Sequence, residues 1–234
     1  MPVPDLQLTL AERKRKSRLR QAPDGPLKSL LATPLPLRSQ TLRDTSVLAT
    51  DFETGGLNAE SDELLSIGCV KVERARIELN SAWHTLISPD GDIPAGSVRF
   101  HKITDTEAGS GLDTKSAVDA LLGKLTGRVL LAHNARTEIG FLFRQCEKLY
   151  GVRPVVPVLD TLIICSNAPP DHPLRQTPNR RLFTLRDMLG LPRYPAHHAL
   201  YDALSTAEVL LAHCGHLSRG NTTSLKTLQL KYVS

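Results

Sequence analysis

In the stretch VLATDFETGG (Val47–Gly56), Asp51 and Glu53 sit two positions apart on an apolar run. Residues i and i+2 of a strand leave the same face, so the two carboxylates point together. Such a pair repels itself unless a proton or a cation lies between, and hard oxygen ligands suit Mg²⁺ or Mn²⁺. Two further stretches carry related chemistry. LLAHNARTEIGFLF places Glu138 in the first turns of a helix that follows an apolar strand. HHALYDALSTAEVLLAH places Asp202 one helical turn from His198 and slightly more from His197. That helix can present a carboxylate to a metal while an imidazole near its start stays mobile. Each stretch also has a plainer reading on its own. Asp51 and Glu53 can cap a turn and meet solvent, Glu138 can favour the helix macrodipole, and the histidines can lie on a solvated helix start.

The elements that must position these groups follow an α/β pattern. Val47–Asp51, Glu63–Val72, Arg76–Ile87, Arg128–His133 and Val155–Asp160 read as strands. The second and third are joined by a short connection around Arg74 and are expected to pair as a hairpin. Lys115–Leu125 and Ala135–Tyr150 have helical spacing, and two more helices are expected near Thr184–Leu189 and His197–His213. Ala199, Ala203, Ala207 and Leu210 give the last one a narrow small-residue face that can lie close to a sheet. Paired strands followed by alternating strands and helices predict a mixed sheet covered on both faces.

The 234-residue chain has a net charge of +5, all of it in residues 1–45. That segment has nine Lys/Arg against four Asp/Glu, and the remainder sums to zero. It begins with Asp5–Arg20, expected to form a short helix with apolar and basic sides, and is then interrupted by Pro23, Pro26, Pro34 and Pro36. Residues 1–45 are therefore expected to be a basic arm that wraps or tethers the domain, attracted to a polyanion or simply solvated. The domain proper is expected at 46–215, with a tail at 216–234. No window approaches the ~20 apolar residues of a membrane-spanning helix. The four cysteines show no CxxC spacing, so neither a zinc site nor a disulfide framework is suggested, and reduced thiols in a cytoplasmic protein are expected.

Three ordered segments resemble one family. DFETGGL is similar to the DxETTGL motif of the DEDDh (DnaQ-like) 3′→5′ exonucleases, HNARTEIGFL to their HNAxFDxxFL motif, and HHALYDA to their HxAxxDA motif. That group includes the proofreading epsilon subunit of bacterial DNA polymerase III and ribonuclease T. SIGCVKV, HKITDTEA (His101–Ala108) and LDTLII add lesser echoes. The likeness runs from about Val47 to His213.

The resemblance implies a ribonuclease-H-like mixed sheet of five strands flanked by helices. It also implies two Mg²⁺ or Mn²⁺ ions held by Asp51, Glu53, Glu138 and Asp202, with His197 as general base. Thr54, Leu57, His133 and Asn134 would contact substrate. Single-stranded 3′ ends, with DNA expected ahead of RNA, would lose nucleoside 5′-monophosphates. Two positions depart from the pattern: Glu138 replaces an aspartate and Thr137 a phenylalanine. The alternative they raise is a catalytically impaired module that binds nucleic acid or assists a polymerase. LQLTLA (Leu6–Ala11) resembles peptides that dock on bacterial sliding clamps but lacks their final aromatic.

Overall fold

The computed structural model describes residues 5–88, 111–217 and 222–234. The segment His101–Ala108 that carries part of the resemblance lies outside them. The five expected strands all form: β1 (Val47–Thr54), β2 (Leu64–Glu73), β3 (Arg76–Ser88), β5 (Val129–Ala132) and β6 (Val156–Asp160). Two short edge strands that the sequence reading missed, β4 (Leu112–Asp113) and β7 (Lys231–Val233), bring the sheet to seven strands among the described residues. The order is β4-β3-β2-β1-β5-β6-β7. β1 runs antiparallel to β2 and parallel to β5, and β6 runs parallel to β5, so β1, β5 and β6 end on the same side of the domain. The hairpin between β2 and β3 turns at Arg74 and Ala75, both at positive φ (51° and 58°). That is the backbone twist of a two-residue I′ connection.

The helices among the described residues are α1 (Leu6–Gln21), α2 (Pro26–Ala32), α3 (Thr114–Leu125), α4 (Arg136–Tyr150), α5 (Thr161–Ser166), α6 (Leu182–Met188) and α7 (Ala199–Gly215). Alternate strand residues feed two cores, one on each face of the sheet. Leu48, Phe52, Leu130, Ala132, Val156 and Val158 pack with Val118, Leu121 and Leu122 of α3 and with Phe141 and Leu142 of α4. Val47, Ala49, Val129, Leu131 and Leu159 pack with Ala207, Leu210 and Cys214 of α7. All four cysteines are buried and unpaired.

Both ends of the chain contribute to these cores. Leu27, Leu30 and Leu31 of α2 join the first. Leu225, Leu228 and Leu230 join the second, and β7 pairs with β6. Backbone bonds from Leu42 to Thr223, from Leu225 to Gln40 and from Lys226 to Arg38 sew the two terminal segments together. The prolines of residues 1–45 thus punctuate a segment with its own buried leucines. LQLTLA forms the first turns of α1.

Candidate active site

The parity of β1 decides where its acids go. Asp51 and Glu53 share the face of Val47 and Ala49, which is the face covered by α7. α7 comes very close there. Asp51 pairs across the ladder with Gly68 of β2, and a Cβ on Gly68 would lie 2.2 Å from the backbone of Ala199 and Leu200. Only a glycine lets the start of α7 rest on the sheet at that point. Ala199, Ala203 and Ala207 are fully buried along the same seam, the small-residue face expected from the sequence.

The start of α7 is shaped to deliver Asp202. His197 adopts φ 62°, and the chain turns so that the N–H of His197 donates to Asp202 Oδ2 at 2.9 Å and the N–H of His198 to the same oxygen at 3.4 Å. The structure thus brings Asp51, Glu53 and Asp202 together, with one carboxylate oxygen from each lying within 4.8 Å of the others. These three come from the sheet and from the helix over one face.

Glu138 arrives from the other side. It lies in the first turn of α4, which packs on the face of Phe52. Its carboxyl is buried, and its Oε2 has no hydrogen-bond partner among the described residues. It stands outside the group of three, yet close enough to be felt electrostatically. Burial, together with the charges of Asp160 and Glu53, pushes Glu138 up to about 8, although hydrogen bonds from the backbone at Glu138 and Phe52 pull the other way. Burial also drives Asp51 well above the usual carboxylate range, reinforced by Glu138, Asp202 and Glu53. Asp202 rises from burial and the charge of Glu53, opposed by the two N–H groups it accepts. A cluster that resists its own ionisation in this way demands protons or cations. An all-oxygen donor set with an orphaned buried carboxylate oxygen beside it fits a hard divalent cation.

A cleft of about 720 Å³ opens on this cluster, and Asp51, Asp202, His133, Asn134 and His197 line it. His197 is exposed there. His198 is instead packed in a column of rings, 4.5 Å from His84 and 4.6 Å from Tyr201. His133 is held by Thr161, whose Oγ1 lies 2.9 Å from Nδ1. Burial lowers its pKa against the opposing pull of Asp160 and a hydrogen bond to the Arg180 backbone, favouring a neutral ring. Asn134 is exposed at φ 62°. Thr54 and Leu57 are placed differently from each other. The Thr54 hydroxyl is turned inward, donating to the Gly56 carbonyl at 2.6 Å, whereas Leu57 is 89% exposed.

Two sets of residues escaped the sequence reading. Asp160, at the end of β6, accepts from the N–H groups of Asn134 (3.0 Å), Ala135 (3.0 Å) and Leu162 (2.9 Å). It therefore pins the turn that launches α4 and sets the position of Glu138. The available signal was an acid between a strand and a helix, the usual N-cap pattern. The second set, Arg180, Arg181 and Phe183, lines the same cleft as Asp51 and Asp202. Their signal was the NRR run before an apolar helix.

A family model described as Exonuclease (RNase_T) matches residues 48–210. The chain belongs to the DnaQ-like exonuclease family. It is 29% identical over 189 residues to a PolC-type DNA polymerase III of Thermotoga maritima, covering 81% of this chain and 13% of that protein. It is 31% identical over 199 residues to a DNA polymerase III subunit epsilon-like protein of Rhodobacter capsulatus, covering 83% and 26%. The exonuclease-family chain thus spans only a minor part of these relatives. Its fold resembles Escherichia coli Exonuclease I in complex with a 5cy-dT13 oligonucleotide (TM-score 0.63, 16% identity, 75% of this chain and 42% of that one). It also resembles Exonuclease X in complex with 5′ overhanging duplex DNA (TM-score 0.57, 18% identity, 78% and 99%). No helix among the described residues is long and apolar enough to cross a membrane.

Proposed function

We propose that this chain is a metal-dependent 3′→5′ exonuclease that releases nucleoside 5′-monophosphates from single-stranded 3′ ends, acting on DNA ahead of RNA. One observation carries the reading: the convergence of Asp51, Glu53 and Asp202 from two elements onto one point of a cleft, with the buried Glu138 behind it. These four carboxylates would hold two Mg²⁺ or Mn²⁺ ions, which when bound supply Lewis-acid chemistry, acidifying water and neutralising phosphate charge. His197, exposed on the same cleft, takes the proton of the attacking water. The water oxygen bonds to the terminal phosphorus, the bond from phosphorus to the 3′ oxygen breaks, and a solvent proton restores the 3′ hydroxyl. Asp202 holds the His197 turn through its two backbone bonds. Arg180 and Arg181 place positive charge where the strand enters, and Leu57 offers an exposed apolar surface to the terminal base. The preference for DNA draws on polymerase relatives and on structural neighbours whose complexes contain DNA. A polymerase or a sliding clamp is the partner class those relatives suggest, to be tested by pull-down.

The test is incubation with 3′-labelled single-stranded DNA and RNA in Mg²⁺ and in Mn²⁺. Labelled mononucleotide is expected, and Asp51→Ala should abolish it. No release under any condition, or release that survives Asp51→Ala, rejects the proposal. A second reading draws on the position of Glu138 outside the group of three: a domain that binds strands without cutting them. Strand binding without release in the same assay would establish it.

A further inference from the structure

α1 has two faces of opposite character. Leu8, Ala11, Arg15, Leu19 and Ala22 recur at i, i+3, i+7, i+11 and i+14 and turn toward the domain, where Ala11 packs with Leu35 and Val155. Arg15 is the one cation on that stripe, and it is neutralised: it pairs with Glu12 at 2.6 Å and donates to the Leu31 carbonyl. The opposite face carries Arg13, Lys16 and Arg20, again at i, i+3 and i+7, all exposed. None of the three has a carboxylate at ion-pair distance among the described residues. Helical rise sets them over about 10 Å, roughly three phosphate intervals of a duplex strand.

The position of this face matters as much as its charge. Ala11 rests against Val155, at the start of β6, and Lys14 reaches Ser234 beyond β7. Asp160, which anchors the acidic cleft, lies at the far end of β6. The basic face and the acidic cluster therefore occupy opposite ends of the sheet, separated by roughly 15 Å of strand. Residues 46–234 have no net charge, and the cleft itself concentrates carboxylates that repel a polyanion. Apart from Arg180 and Arg181 at the cleft, the net positive charge available for attraction at a distance lies in residues 1–45.

We propose that the outer face of α1 is a second nucleic-acid-binding surface, where Arg13, Lys16 and Arg20 grip the phosphate backbone of a strand away from the cleft. The surface extends past Arg13 to the exposed Leu10 and Leu6, which can cover sugar and base edges. The proposal rests on family membership and on charge, not on cleavage, so binding is measured by fluorescence anisotropy in EDTA with a labelled 20-nucleotide single strand and the full chain. The Arg13→Gln, Lys16→Gln, Arg20→Gln triple variant should bind roughly thirtyfold more weakly near 0.2 M salt, and its log–log salt slope should fall by about 2. The charge-preserving triple Arg13→Lys, Lys16→Arg, Arg20→Lys should keep wild-type affinity, with thermal melting showing that both variants fold. Equal affinity and equal slope for wild type and the neutral triple overturn the proposal. So does a wild-type chain that ignores the strand but binds phosphatidylserine vesicles. Either failure leaves the exonuclease reading standing, since neither divalent metal ions nor cleavage enter the measurement.

Discussion

The acidic cleft and the outer face of α1 are both clusters of like charge, and they are built in opposite ways. At the cleft, four carboxylates from three elements are driven into a partly dry space, where burial and mutual repulsion raise the pKa of Asp51, Glu138 and Asp202. On α1 the cations come from a single helix, stand in water and are kept apart by helical spacing, while the one cation that turns inward, Arg15, is paired. The first arrangement stores repulsion that only a counter-ion relieves. The second costs the fold little and acts at a distance. Buried like charges therefore suggest a site that awaits a specific ligand, and exposed ones a surface that meets a diffuse partner.

The sharpest way to separate the two is to remove one charge from the cleft. Asp51→Asn should cut nucleotide release by on the order of 10³-fold and yet raise the thermal midpoint in EDTA, because a buried repulsive group is gone. Mg²⁺ should then raise the midpoint of the wild type but not of the variant. A variant less stable than wild type in EDTA would break the contrast. Gly68→Val comes next. Its side chain meets the backbone of Ala199 and Leu200, so α7 must move, with a loss of about 3 kcal/mol and, through displaced Asp202, of roughly 10²-fold in activity. Denaturant unfolding and turnover both report it, and wild-type values in either would refute this role for the glycine.

At the other end, Leu31→Ala tests whether the segment carrying α1 belongs to the folded unit. Leu31 is fully buried, and about 2–4 kcal/mol should be lost in one cooperative transition. A separate early transition would mean that the N-terminal helices melt on their own. The smallest effect lies in a histidine group that belongs to neither cluster. His213 is 4.4 Å from His172, which also contacts His216 at 5.2 Å, and the His213 Nδ1 is buried without a partner among the described residues. Burial lowers His213 from 6.5 to about 4, with His172 and His216 adding to it. His172 is also lowered by burial, against the pull of the His213 carbonyl and Asp171. Both rings are neutral in the fold, so the unfolded chain takes up protons first as pH falls. The contribution of His213 is fully present above about pH 6.5 and is lost toward pH 4. The denaturant midpoint should correspond to about 2 kcal/mol less stability at pH 5 than at pH 7 from His213, and His213→Asn should flatten that dependence.

Much of the sheet could be read in advance because its five long strands carry strong apolar runs bounded by turns. β4 and β7, of two and three residues, are too short for any periodicity, and they exist only because β3 and β6 present open edges to them. The leucines of α2 were hidden among prolines that suggested an extended arm. At the site, the three acidic stretches were visible as residue types at helical or strand spacing. Gly68 and Asp160 were not, since their importance lies in what approaches them: the backbone of α7 in one case, three N–H groups in the other.

The sequence by itself determined that Asp51 and Glu53 share a face, that Asp202 follows two histidines by about one helical turn, and that all excess positive charge lies before residue 46. Those facts follow from strand and helix periods and from counting. Only the tertiary structure decided that α7 covers the face of Asp51 and Glu53 while α4 covers the other. Glu138 consequently comes round the end of the sheet and stays apart from the group of three. Only the fold, too, set the basic face of α1 at the far end of β6 from the cleft. Periodicity states which residues leave an element together, but which neighbour they meet depends on how distant segments pack, and a local pattern carries no record of that.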